Sequence, residues 1–182
     1  MQPNNYQSLL AQLYQPPKRK VFVSYHHKDQ IWVDSFRKQY SGIYEVFTDC
    51  SLDEAIDSSN LQYINRTIRE DYITGTSITL VLCGSETWKR KCVDWEIYST
   101  LWKDHALLGI MLPTLKPIVQ NNQSVRQVPD RLYTNIMSGY AQWMEWPQNS
   151  QQLKQAIDIA IQSGSVNKKM KDNSAQKMAR NL

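Results

Sequence analysis

"SITLVLCGSETWKRKCVDWEI", Ser77 to Ile97, holds two periodicities back to back. Ile78 to Cys83 is an apolar run without alternation, the pattern of a strand covered on both faces, as in parallel sheets with helices on either side. Gly84-Ser85 turns the chain, and from Trp88 the apolar residues recur at helical spacing. At about 100° per residue from Trp88, Cys92, Trp95, Ser99 and Trp102 gather within about 40° of one face, Val93, Ile97 and Leu101 gather on the opposite one, and Glu96 falls at about 80°, between them. A helix apolar on two sides is expected to be buried against the sheet and against something else. Glu96 has no basic residue at i±3 or i±4, where Val93, Ser99, Cys92 and Thr100 stand, so the intrahelical support of a surface glutamate is missing. A carboxylate in a half-apolar crevice tends towards a raised pKa, a common property of active-site acids. The plainer reading, a surface glutamate paired from another element, stays open.

The same alternation extends in both directions. "RKVFVSY" (Arg19 to Tyr25) reads as a first strand. A helix follows, with Asp29 as N-cap, Trp32, Phe36 and Tyr40 at i, i+4, i+8, and Ser41-Gly42 as its end. "IYEVFTD" (Ile43 to Asp49) reads as a second strand, and Leu61, Ile64 and Ile68 mark a helix after a polar loop. Beyond the tryptophan helix, "ALLGIMLP" is a fourth strand. Residues 113–138, with three prolines and "NNQS", predict a long connection with one helical turn. "YAQWMEW" is a fifth strand, and "SQQLKQAIDIAIQSG" a closing helix with Leu153, Ile157, Ala160 and Ile161 inward and Gly164 as its stop. Strand and helix alternate five times, which predicts an α/β protein with a five-stranded parallel sheet of order 2-1-3-4-5 and helices on both faces. Ligands in such folds bind outside the carboxyl ends of the strands, beside strand 1.

The chain has 182 residues and a formal charge of +4. Residues 165–182 carry five basic side chains against Asp172, which accounts for the whole surplus. That distribution predicts a solvated, disordered basic tail rather than a nucleic-acid surface on the folded part. Residues 1–17 read as a lead-in ended by Pro16-Pro17, and residues 18–164 as the domain. Three cysteines without a CxxC pair argue against structural zinc and a disulfide framework, and Cys83 and Cys92 read as core thiols. No apolar run spans a membrane and no signal pattern opens the chain, so a reducing cytoplasm is the expected compartment.

Strand 1 ends in Ser24, Tyr25 and His26, where the fold places its cleft; Tyr25 offers a ring face and Ser24 and His26 offer hydrogen bonds. Asp49, Asp53, Glu54 and Asp57 fit no EF-hand loop, so a mobile acidic loop is expected and no metal. Neither G-x-G-x-x-G nor a Walker A pattern occurs, which excludes a glycine-rich dinucleotide cradle.

Together these residues resemble the TIR domain. "KVFVSYHHKD" is similar to its first box, "YEVFTD" to the strand before its BB loop, and "SITLVLCGSETWKRKCVDWEI" to its third strand and glutamate helix. The His after "SY" and the "GS-x-T-W-x-R" run most resemble the TIR-like ThsB proteins of bacterial Thoeris anti-phage systems. The resemblance covers about residues 18–164. It implies a flavodoxin-like three-layer fold and cleavage of NAD at its nicotinamide–ribose bond, with NAD as substrate and no separate cofactor. It puts Glu96 in the position of the family's catalytic glutamate. By matched position Ser24, Tyr25 and His26 would line the nicotinamide side, Ser85, Trp88 and Trp95 would shape the wall near Glu96, and Asp49 would join the substrate-binding set. The implied product is a cyclic ADP-ribose isomer that activates a separate effector protein, with a homo-oligomer as a further possibility. The sequence departs from the family in having Cys92-Val93 before Asp94-Trp95-Glu96 instead of "W-C-x-x-E", and in lacking a Gly/Pro-rich BB loop.

The alternative is a non-enzymatic TIR module working through protein contacts. A receiver-like phospho-acceptor is a third reading, but it requires an acidic pair after strand 1 and an aspartate closing strand 3, where this chain has Tyr25-His26 and Cys83-Gly84.

Overall fold

The computed structural model describes residues 18–48 and 73–182. Asp49, the acidic loop, the lead-in and the helix expected around Leu61 to Ile68 lie outside the described residues. β1 (Arg19–Ser24) runs through a 3-10 turn (His27–Asp29) into α1 (Gln30–Tyr40) and β2 (Tyr44–Thr48). β3 (Ile78–Cys83), a second 3-10 turn (Thr87–Lys89), α2 (Lys91–Trp102) and β4 (Ala106–Met111) follow. Then come the short strands β5 (Ile118–Gln120) and β6 (Gln123–Val125), α3 (Asp130–Met137), β7 (Gln142–Glu145) and α4 (Ser150–Val166).

The main sheet has the order β2-β1-β3-β4-β7, and all its pairs are parallel. This is the flavodoxin-like arrangement, with the fifth strand in the place expected from sequence. All six residues of β3 are buried, as its unalternated apolar run predicts. Alternation along β1 separates two cores. Val21, Val23 and Tyr25 join the cluster that includes Phe36, Tyr40, Leu153 and Ile157 of α1 and α4. Phe22 joins the opposite cluster, with Val81, Cys83, Val93, Trp95, Ile97 and Leu101. Ser24, two residues beyond Phe22, shares its face.

Several expectations are corrected. Residues 113–138 hold a hairpin and a full helix rather than one helical turn. Asn121 and Asn122 both adopt positive φ, 51° and 59°, and join β5 to β6 in the two-residue turn that requires this. α3 spans eight residues and buries Arg131, Leu132 and Asn135. The tryptophan helix begins at Lys91, so Trp88 stands in the preceding 3-10 turn, and Trp102 is 57% exposed rather than inward. Gly164 does not stop α4. It sits inside the helix against β4, where an added Cβ would lie 3.4 Å from the Ala106 Cα. Asp29 stands at the N-cap of α1 but makes no side-chain capping bond.

The basic C-terminal stretch, expected to be solvated, is seated along α2 and α3. The Trp95 indole nitrogen donates to the Met178 carbonyl at 2.8 Å, and the Met178 amide donates to Asp94 Oδ2 at 2.9 Å. The Lys91 amide donates to Asn181 Oδ1, the Leu182 amide to the Lys89 carbonyl, and Asn173 Nδ2 to the Tyr98 carbonyl. Lys171 pairs with Asp104 and donates to the Leu101 carbonyl, while the Lys177 ammonium lies 4.8 Å from the Tyr98 ring centre and 5.0 Å from that of Trp95. Charge alone favours solvation, but Lys168, Lys171 and Lys177 each have a carboxylate, a carbonyl or a ring face to meet. This segment and α3 are the second surface that covers the two-sided helix.

Candidate functional site

Glu96 is 3% exposed. It lies on the helix that follows the central strand, and that helix touches β1, β3 and β4. Its height on the sheet follows from one contact. Thr100 Oγ1 lies 2.6 Å from Thr79 Oγ1 and donates to the Glu96 carbonyl at 2.8 Å. α2 runs antiparallel to β3, so one turn back, about 5.4 Å, reaches Glu96, while two residues up β3, about 6.6 Å, reach Val81. Val81 is paired with Ser24. Helical side chains lean towards the helix N-terminus, which here is the carboxyl edge of the sheet. Glu96 and Ser24 therefore share a face and a level.

Ser24 is 1% exposed, and among the described residues its hydroxyl has no hydrogen-bond partner. A buried unmatched hydroxyl costs about 1–3 kcal/mol. Such a group is stabilised by a polar ligand that brings its own donor or acceptor.

His26 follows on the same alternation and is 1% exposed. Its Nε2 lies 3.6 Å from Glu86 Oε2, and its ring packs edge-on against His27, with centres 4.1 Å apart. Tyr25 points the other way. Its ring belongs to the α1–α4 cluster, and its hydroxyl donates to Gln30 Oε1 at 2.6 Å. The structure thus brings Ser24, His26 and Glu96 to one side of the sheet and sets the Tyr25 ring on the other. Ser85 is exposed in the turn after β3. Trp88 is half-buried and flanks two clefts of about 340 and 310 Å³, one against residues 175–182 and one against the β5–β6 hairpin and α3. Trp95 is 2% exposed with its indole nitrogen committed to the C-terminal segment. Asp49 lies outside the described residues.

Sequence reasoning missed a charged cluster at this edge. Glu86 Oε2 accepts from Arg90 at 2.7 Å and from Lys28 at 3.1 Å. The hydrogen bond from Lys28, with Lys28, Arg90 and Lys89 as neighbouring charges, holds the Glu86 carboxyl below its usual range. The i,i+4 spacing of Glu86 and Arg90 was the available signal. Asp29 was also underread. It is 5% exposed and accepts from Thr114 Oγ1 at 3.0 Å. Burial, and to a smaller degree the Glu86 charge, pushes its pKa up against the lowering effect of Thr114. Cys83 and Cys92 are both buried, as expected of core thiols, and burial pushes the Cys83 thiol far up. Among the described residues no three His, Cys, Asp or Glu side chains group as a metal site, and no helix is long and apolar enough to cross a membrane.

The fold and this carboxylate-bearing helix define an α/β domain with its polar groups gathered at the β1–β3 carboxyl edge. The family model described as "Thoeris protein ThsB, TIR-like domain" matches residues 22–117, more than half of the chain. The chain belongs to that ThsB TIR-like family. It is also 28% identical over 116 residues to the Bacillus cereus (strain MSX-D12) protein named "Putative cyclic ADP-D-ribose synthase ThsB1", a match covering 58% of this chain and 58% of that protein. The chain therefore matches less than two thirds of that relative's length.

Proposed function

We propose that the protein is a Thoeris-type enzyme that cleaves NAD at the nicotinamide–ribose bond and closes the ADP-ribose part into a cyclic signal. The observation that carries this reading is the buried Glu96 carboxylate on the helix after β3, with the buried Ser24 hydroxyl, unmatched among the described residues, on the same side of the sheet. The family membership and the name of the Bacillus cereus relative agree with it.

The chemistry asks little of an acid. The bond between ribose C1′ and the nicotinamide nitrogen breaks with both electrons going to nitrogen, so a positively charged ring leaves as neutral nicotinamide and needs no proton. Positive charge builds on C1′ and the ring oxygen, and a fixed carboxylate in a water-poor site stabilises it strongly. A nucleophilic atom of the same ADP-ribose then bonds to C1′ and releases one proton. Intramolecular capture is favoured over water when the substrate is held folded and water is excluded. Glu96 is the catalytic residue in this reading, and Ser24 and His26 are the polar groups of the nicotinamide side. Ser85, Trp88, Trp95, Tyr25 and Asp49 complete the proposed substrate set, with Tyr25 acting from the opposite face of the strand end. The product would act on a separate effector protein, and assembly of several copies would complete the active form.

The test is mass spectrometry of nicotinamide and cyclic ADP-ribose in lysates of phage-infected cells expressing wild type or Glu96→Gln. Product in wild type and its loss in a folded Glu96→Gln chain is expected. Undiminished protection from phage by Glu96→Gln would overturn the enzyme and favour a TIR module acting through protein contacts.

A further inference from the structure

We propose that Asp29 is a positioning residue of the candidate site: its buried carboxylate, clasped between the Gly84 backbone and the Thr114 hydroxyl, holds the turn that sets His26 against Glu86. The first observation is a helix-cap position whose side chain does something else. Asp29 stands at the start of α1, yet its carboxylate makes no capping bond and instead accepts from Thr114 Oγ1 at 3.0 Å. The second is Gly84. An added Cβ there would overlap the Asp29 carboxylate, 2.6 Å from its Cγ. Gly84 is not among the glycines with positive φ, so it provides room for a neighbour rather than an unusual backbone.

The clasp joins three connections at the carboxyl edge. Asp29 follows β1, Gly84 follows β3 and Thr114 follows β4. The Asp29 amide donates to the His26 carbonyl at 2.7 Å, closing the turn, and the His26 ring leaves that turn towards Glu86, 3.6 Å away. On the Gly84 side, the Gly84 amide donates to Thr87 Oγ1 at 2.8 Å and Thr87 Oγ1 donates to the Leu82 carbonyl at 3.3 Å. Glu86 and Thr87 are thus fixed to the same strand end that Asp29 presses upon. A carboxylate is an expensive way to fill space beside a thiol and a second carboxylate; Thr114 and Glu86 act on it, and its own charge acts on the Cys83 thiol. An apolar side chain would fill the same volume without that penalty. The carboxylate is explained by what it tethers.

The kinetic consequence rests on the NAD-cleaving reading; the spectroscopic one rests on geometry alone. Asp29→Asn keeps the shape and an acceptor for Thr114 but removes the charge, and Thr114→Val removes the tether while leaving Asp29 in place. Both variants, in the full chain, are expected to shift the His26 ring signals in proton–carbon NMR. Both are also expected to lower kcat for nicotinamide release by about tenfold or more with a much smaller change in KM, as small misplacements of reacting groups do. Gly84→Ala is expected to lose stability, and Asp29→Ala with Gly84→Ala to regain part of it without regaining kcat. A merely structural brace would move stability and leave kcat and the His26 signals alone, and that result in either single variant overturns the proposal. If wild type releases no nicotinamide, the enzymatic reading fails, and the His26 signals alone decide: shifted signals support the clasp and unchanged signals overturn it.

Discussion

Asp94 and Arg131 form a buried ion pair across the helix layer, with Arg131 Nε 2.9 Å from Asp94 Oδ1 and both side chains under 10% exposed. The pair ties α2 to α3, and the Met178 amide and the Ala175 and Gln176 carbonyls bind to the same two side chains. Removing one partner strands a buried charge. Asp94→Ala and Arg131→Ala are each expected to lose about 3–5 kcal/mol, and the double variant less than the sum. Urea unfolding of the four proteins checks the coupling.

Gly164 should be improvable. Glycine inside a helix is about 0.5–1 kcal/mol less stable than alanine. The nearest atoms to an added methyl are the Ala106 Cα and Cβ, at 3.4 and 3.6 Å, which is ordinary contact. Gly164→Ala is expected to raise stability by about 0.5–1 kcal/mol, whereas Gly164→Leu overpacks the α4–β4 contact and loses about 1–3 kcal/mol. A thermal shift of opposite sign for the two variants is the expected outcome.

His105 gives a pH dependence whose sign is fixed. Burial, with Lys103 as a smaller contributor, lowers its pKa from 6.5, and Asp104 only partly opposes this. The unfolded chain therefore binds the proton first as pH falls. The contribution of His105 to stability is complete above its unfolded pKa and is lost between that value and the lower folded one. His105→Asn is expected to show a shallower loss of stability below pH 6.5. Unfolding midpoints compared at neutral and mildly acid pH test it.

What could be read from sequence divides along physical lines. The sheet order and both cores were legible because β3, Phe36, Tyr40, Leu153 and Ile157 follow strand and helix periods that burial enforces. The burial of Glu96 was legible because a lone acid between two apolar faces is a rare pattern. The two-asparagine turn of the hairpin was legible in principle, since successive asparagines tolerate positive φ. The side to which Tyr25 turns was legible in principle, since it continues the alternation of Val21 and Val23, opposite Phe22 and Ser24. The docking of Lys168 to Leu182 was hidden. Its partners, Asp104, Tyr98, Trp95 and Lys91, lie far away in sequence, and composition cannot distinguish a lysine meant for water from one meant for a ring face. Asp29 takes the N-cap position that the sequence predicts, but its carboxylate bonds Thr114 instead of the helix, a partner that local sequence does not reveal.

The C-terminal segment has a temporal consequence. The amide of Lys91, at the first turn of the helix that carries Glu96, finds its acceptor 90 residues later, on Asn181. At about 5–20 residues per second, a ribosome makes that length in roughly 5–20 seconds. Contacts this distant in sequence also form slowly after release. The helix that carries Glu96 therefore completes this contact only well after its own synthesis, and a nascent chain would carry the Glu96 carboxylate before it carried the segment that packs along that helix.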